Sequence, residues 1–214
     1  MWLSCRQSKY ITDMKYIHTS DWHLGHVIYG IDRGEEQADM LEQMVSMVSE
    51  HMPDAFLLSG DVFHTASPSS KVQTMFTDTV VKLHNANPDM QIIITAGNHD
   101  NAVRHEIFRT PWKSFNVHMI GSLDQKDLES HIIEVPGKGF VIAIPYTHVR
   151  NMPTDCRQTL LDMVAQRNPD GLPVILMDHT TVSGCDFKGH DCITDYTVGG
   201  IDGIMVEDLG TGYD

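Results

Sequence analysis

A chain of 214 residues with 41% hydrophobic and 21% charged content holds enough material for one α/β domain with a sizeable core, and it carries no linker that would split it. No apolar run reaches membrane-spanning length. Twenty-nine acidic residues against fifteen basic give a formal net charge of −14, which excludes a protein that grips nucleic acid through a cationic surface alone.

Residues 1–13 contain Arg6 and Lys9 but no apolar centre, so they are not a secretory signal and read as a leader outside the fold. Met14-Lys15 abuts the first predicted strand, Tyr16-Ile17, which ends on Ser20-Asp21-Trp22-His23. A helix is predicted over residues 35–51, with Leu41, Met44, Val45, Val48 and Met52 at helical spacing and its methionines as core filler. The strand Ala55-Phe56-Leu57-Leu58 ends on Gly60-Asp61-Val62-Phe63-His64. Ser67-Pro68 fits the start of the next helix, as N-cap and first helical residue. Residues 71–83 then repeat the pattern with Val72, Met75, Phe76, Thr79, Val80 and Leu83. The strand Ile92-Ile93-Ile94-Thr95 ends on Gly97-Asn98-His99-Asp100. This alternation implies right-handed crossovers and a parallel start to the sheet.

After Asn98 the pattern changes to short strands over residues 117–120, 131–135 and 140–144, the last two joined as a hairpin by Gly137-Lys138-Gly139. A helix over residues 155–166 leads to the buried strand Val174-Ile175-Leu176-Met177, which ends on Asp178-His179. The tail over residues 191–214 is rich in Gly and Asp, and Gly199-Gly200 reads as a turn. Cys5, Cys156, Cys185 and Cys192 show no Cys-x-x-Cys spacing and read as reduced thiols. Cys185, Asp186, His190, Asp191 and Cys192 match no zinc spacing and read as a polar loop.

The strand exits carry the chemistry. A strand that stops and then presents Asp, Asn or His delivers those side chains to the carboxyl edge of a sheet, where open α/β sheets bind ligands. Together the exits offer a mixed oxygen and nitrogen set suited to two divalent metals, the alternative being strand-to-loop turns with polar caps. Thirteen histidines, nearly as many as Lys plus Arg, point the same way. If the target is nucleic acid, metals and a partner must supply the missing positive charge. His18 is expected as a hydrogen-bonded core residue. His26, His51, His84, His105, His118, His131 and His148 are expected at surface or packing positions, and Asp178 in solvent.

Asp21-x-His23, Gly60-Asp61, Gly97-Asn98-His99-Asp100 and His179 together resemble the calcineurin-like metallophosphoesterase family. Trp22-His23-Leu24-Gly25, Phe63-His64 followed by Pro68-Ser69, and His179-Thr-Thr-Val-Ser-Gly-Cys are similar to its SbcD branch of DNA nucleases. The resemblance runs over residues 14–214 and implies an α/β fold of layered mixed β-sheets flanked by helices. It implies two divalent ions, manganese, with Asp21 and His23 on one, Asn98 and His179 on the other, and Asp61 bridging. A bridging carboxylate holds such a pair about 3.5–4 Å apart for in-line attack on phosphorus. His99 is implied as general acid, Asp100 as the group that orients the His99 ring, and His64 as a contact to the scissile phosphate.

The implied activity is exo- and endonucleolytic cleavage of DNA ends in recombination and repair. The implied setting is the cytoplasm, as a homodimer within a heterotetramer with an SbcC-type ATPase and with no membrane contact. The family closes its site with Gly-His-x-His, which in this branch follows a Gly-Tyr-Asp like Gly212-Tyr213-Asp214. Neither closing histidine is present, so a truncated domain is expected. Two alternatives stay open: a phosphatase or small phosphodiesterase of the same family, and an inactive metal-binding or dimerisation module.

Overall fold

The computed structural model describes residues 13–182 and 203–214. Residues 1–12, Cys5 among them, lie outside the described residues, as do Cys185, Asp186, His190, Asp191, Cys192 and the Gly199-Gly200 turn.

The first strand, β1 (Tyr16–Thr19), is followed by a two-residue-arm hairpin, β2 (Val27–Ile28) with β3 (Ile31–Asp32). Helix α1 (Gly34–His51) buries Leu41 and Val48, with Met40, Met44 and Val45 packed partly beneath, whereas Met47 and the C-cap Met52, also expected as core filler, are exposed. Strand β4 (Ala55–Ser59) and, after helix α2 (Ser70–Ala86), strand β5 (Gln91–Thr95) are buried at every position. Such continuous apolar runs belong to strands covered on both faces. The N-cap of α2 is Ser69, whose hydroxyl accepts from the Val72 N–H, and not Ser67 as the Ser-Pro pair suggested.

Helix α3 (Ala102–Trp112), unforeseen in the sequence, then crosses to β6 (Val117–Ile120). The order β1-β4-β5-β6 is parallel throughout. A second sheet pairs β7 (Ile132–Val135) antiparallel with β8 (Gly139–Ile144). Beyond helix α4 (Cys156–Arg167), β9 (Val174–Asp178) joins β8 in parallel. No helix among the described residues is long and apolar enough to cross a membrane.

Period-two alternation sorts these side chains into layers. Phe56, Leu58, Ile92 and Ile94 face α1, α2 and α3. Ala55, Leu57 and Ile93 face the second sheet, where Val141, Ala143 and Met177 meet them. Phe140, Ile142 and Ile144 point the other way, onto Leu160, Leu161 and Val164 of α4. The fold is therefore helices, sheet, sheet, helix, the layered mixed α/β arrangement expected.

Several residues sit differently from expectation. Asp178 does not face solvent: its carboxylate accepts from Arg157 Nε at 2.7 Å, with both side chains under a tenth exposed. Burial pushes the Asp178 carboxyl up while Arg157 pulls against it. His131 belongs to a 3-10 turn, Leu128–His131, rather than to β7. Its Nδ1 donates to the Ala143 carbonyl and its Nε2 accepts from the Asp124 N–H, a pairing only the neutral ring allows. His105, by contrast, takes one of the packing positions expected, buried with neither ring nitrogen hydrogen-bonded.

His118 on β6 lies 3.0 Å from the Gln91 side-chain oxygen, and burial, helped by Lys113, pushes its pKa down to about 4. An unfolded histidine titrates near 6.5. Between those values the unfolded chain binds a proton that the folded chain refuses, so stability falls as pH drops through this window. His118→Gln is expected to lose roughly 2 kcal/mol less than wild type between pH 7 and pH 5 in urea denaturation. Equal losses in the two proteins would show that His118 is not buried as the neutral ring.

Candidate metal centre

Three exits of the first sheet and one of the second converge on one edge. Beyond the ends of β1 and β4 the two chains stay zipped, with Asp21 N–H donating to the Gly60 carbonyl at 3.1 Å and His23 N–H to the Asp61 carbonyl at 2.9 Å. Holding both exits this close forces left-handed backbone on side chains that avoid it: φ is 56° at Asp21, 42° at His23 and 49° at Asp61. Non-glycine residues enter that region at a cost and cluster at functional sites.

Gly60 and Gly97 are required by space. A Cβ on Gly60 would overlap the His179 ring, and one on Gly97 would overlap the Asp61 carboxylate and amide. Gly97→Ala is therefore expected to displace Asp61, lower stability by about 1–3 kcal/mol as overpacking does, and abolish tight divalent-metal uptake. Thermal melts and a manganese titration check both effects, and unchanged uptake would remove Asp61 from the site.

Asp61 is 3% exposed and stands at the middle. Its Oδ1 accepts the His99 N–H at 2.9 Å, leaving Oδ2 between two imidazoles, 3.6 Å from His23 Nε2 and 3.7 Å from His179 Nε2. Asp21 closes the first side, its Oδ1 3.8 Å from His23 Nε2, and Asp21, His23 and Asp61 present ligand atoms within 4.8 Å of one another. On the other side His179 Nδ1 lies 2.8 Å from the Ser59 carbonyl. A carbonyl only accepts, so Nδ1 carries a proton and Nε2 is the nitrogen left to take a metal. Nε2 faces the Asn98 Oδ1 at 3.1 Å. The imidazole nitrogen and amide oxygen at this spacing, beside the Asp61 carboxylate, are a donor set that suits a divalent ion.

His64 and His99 stand beside this group. The His99 Nδ1 donates to the His64 carbonyl at 3.0 Å, which turns its Nε2 outward. This corrects the expectation for Asp100. Its carboxylate does not reach the His99 ring; it accepts from Gly97 N–H at 2.8 Å, Phe63 N–H at 2.9 Å and Val62 N–H at 3.1 Å. Asp100 thus ties the loop bearing Asp61 to the loop bearing Asn98 and His99. The His64 ring lies under His26, centroids 4.1 Å apart at 22°. Burial, then His26, His23 and His99, push the His64 pKa down.

Three neighbours were not foreseen from the sequence. His26 follows His23 by one turn, and the His-x-x-His spacing was a signal for it. His18 is exposed on β1 rather than buried in the core, and its Nε2 bonds Ser59 Oγ at 2.9 Å. With Asn98, His179 and Tyr146 it lines an opening of about 370 Å³. Tyr146 stands edge-on to His179 at 6.2 Å, and nothing in its local sequence marked it.

Comparison with known proteins agrees with this geometry. A family profile described as calcineurin-like phosphoesterase matches residues 14–205. The chain is 29% identical to the D component of the SbcCD nuclease from Rhodobacter capsulatus, covering 80% of this chain and 49% of the relative. It is 32% identical to the protein of the same name from Bacillus subtilis, covering 61% of this chain and 32% of the relative. The chain thus spans about half the length of the first relative and about a third of the second.

Proposed function

This chain belongs to the calcineurin-like phosphoesterase family, and on that footing we propose that it is the catalytic domain of a manganese-dependent DNA exo- and endonuclease, working in the cytoplasm on DNA ends with an SbcC-type ATPase. The names of the two relatives, each a D subunit of a nuclease, support a nuclease that works with a second subunit. The observation that carries the reading is the Asp61 carboxylate, held by the His99 N–H and flanked by His23 and His179.

Asp21 and His23 would hold one cation, Asn98 and His179 the other, with Asp61 shared. Imidazole nitrogens among carboxylate oxygens suit manganese better than magnesium. In the family, as the resemblance implies, the remaining positions are filled by the histidines of a Gly-His-x-His run, which these 214 residues do not contain. When bound, such a pair polarises the phosphoryl oxygens and readies a water for attack. His64 meets the phosphate. His99, its Nδ1 fixed by the His64 carbonyl, presents Nε2 toward the leaving oxygen and delivers a proton there. Asp100 keeps the two loops in register, and the left-handed backbone keeps Asp21, His23 and Asp61 aimed inward. With a net charge of −14, DNA affinity rests on the cations and on a basic partner surface in the heterotetramer, and falls steeply with salt.

That same charge favours a second reading, a phosphodiesterase for small substrates. Assay of the chain with manganese, with and without the ATPase partner, on a duplex end and on bis(p-nitrophenyl) phosphate separates the two. Cleavage of both supports the nuclease. Cleavage of the nitrophenyl ester alone, even with the partner, supports the small phosphodiesterase, and manganese binding with no cleavage supports a non-catalytic module.

A further inference from the structure

We propose that His23, His64 and His99 form an all-nitrogen cation site, overlapping the metal pair at His23, that takes zinc and thereby blocks the pair. One ring nitrogen from each of these histidines lies within 4.8 Å of the other two. The rings stand across one another: His23 and His99 are 4.9 Å apart at 90°, His23 and His64 5.7 Å apart at 68°. The Nδ1 atoms of His23 and His64 are buried with no hydrogen-bond partner, an expensive state for an imidazole. His99 spends its Nδ1 on the His64 carbonyl, so its open ligand atom is Nε2. His26, stacked on His64, limits rotation of that ring and keeps it in the group.

Ligand chemistry separates this site from its neighbour. Three imidazoles suit zinc or copper(II), whereas the carboxylate-rich set of Asp21, His23 and Asp61 suits manganese. Zinc binds imidazole nitrogen at about 2.0–2.1 Å, which places ligand nitrogens about 3.4 Å apart around a tetrahedral ion. The trio, spread over up to 4.8 Å, must draw in to reach that spacing. His23 belongs to both groups, so zinc on the histidines and the metal pair compete for the position of one ring. Zinc also occupies the His99 and His64 nitrogens that would face the phosphate. The site follows from side-chain geometry alone and holds whether or not the substrate is DNA.

The test strips the carboxylate site and asks what remains. In the Asp61→Ala chain, zinc titrated against a chromophoric chelator should still bind once per chain, with affinity within about threefold of wild type. Adding His64→Gln, or separately His99→Gln, should weaken that binding by at least the 10–100-fold usual for losing a group that supports a metal. Adding His179→Ala should leave it unchanged, because His179 is outside the trio. Cobalt as a stand-in should give intense visible bands that His64→Gln abolishes. Asp61→Asn replaces Asp61→Ala if the alanine chain does not fold. Zinc binding that vanishes with Asp61, or that His179→Ala weakens as much as His64→Gln does, overturns the proposal.

Discussion

Asp61→Ala is expected to remove both manganese sites at once, whereas Asp21→Ala removes one. Asp61 Oδ2 is nearly equidistant from His23 and His179, so its loss unbinds the ligand set on each side. Asp21 has its side chain half exposed and stands with His23 on one side of Asp61. Removing a residue that merely supports a ligand already lowers metal affinity about 10–100-fold, and a shared ligand must exceed that for both ions. Calorimetric titration with manganese should show two binding events in wild type, one in Asp21→Ala and none in Asp61→Ala over the same range. Equal uptake by wild type and Asp61→Ala would take Asp61 out of the bridging position.

The second large effect is at His99. His99→Gln should keep manganese occupancy, because the ring contributes neither nitrogen to Asp61, Asn98 or His179, and only its backbone N–H touches Asp61. Cleavage of DNA should nevertheless fall about 10²–10⁴-fold, the usual share of general acid catalysis. The leaving group discriminates further. A deoxyribose oxygen must be protonated as it departs, but nitrophenolate leaves readily as an anion. The loss on bis(p-nitrophenyl) phosphate should therefore be much smaller than on DNA. Equal losses on both substrates, or loss of bound manganese, would make His99 a metal or phosphate ligand instead.

The strand exits were legible because two strong signals coincide there. The runs Ala55-Phe56-Leu57-Leu58 and Ile92-Ile93-Ile94-Thr95 are apolar on both faces, and each stops at a glycine followed by metal-binding side chains. The layering followed from the same runs. Helix α3 was not legible, since Val103 and Ile107, one turn apart, point outward and Pro111 interrupts its last turn. Its apolar pattern does not separate a buried from an exposed face. Asp178 was misplaced because its partner Arg157 is distant in sequence, and burial of a carboxylate depends on finding that partner. Asp100 was misassigned for a related reason. A side chain beside His99 in sequence was read as its neighbour in space, but on a tight loop it points back under the backbone amides.

Four of the candidate ligands hang from the first sheet, and His179 alone hangs from the second, at the end of β9. The seam between the sheets is filled by Leu57, Ile93, Val141, Ala143 and Met177, whose contacts have no direction and tolerate small sliding. On the proposed ligand set, a cation gripped by both Asp61 and His179 would act as a rivet across that seam. Metal affinity would then be partly a measure of how the two sheets are docked. A change of volume at Val141 or Met177, on the seam and carrying no ligand, would shift the His179 side against the Asp61 side and be felt as weaker metal binding.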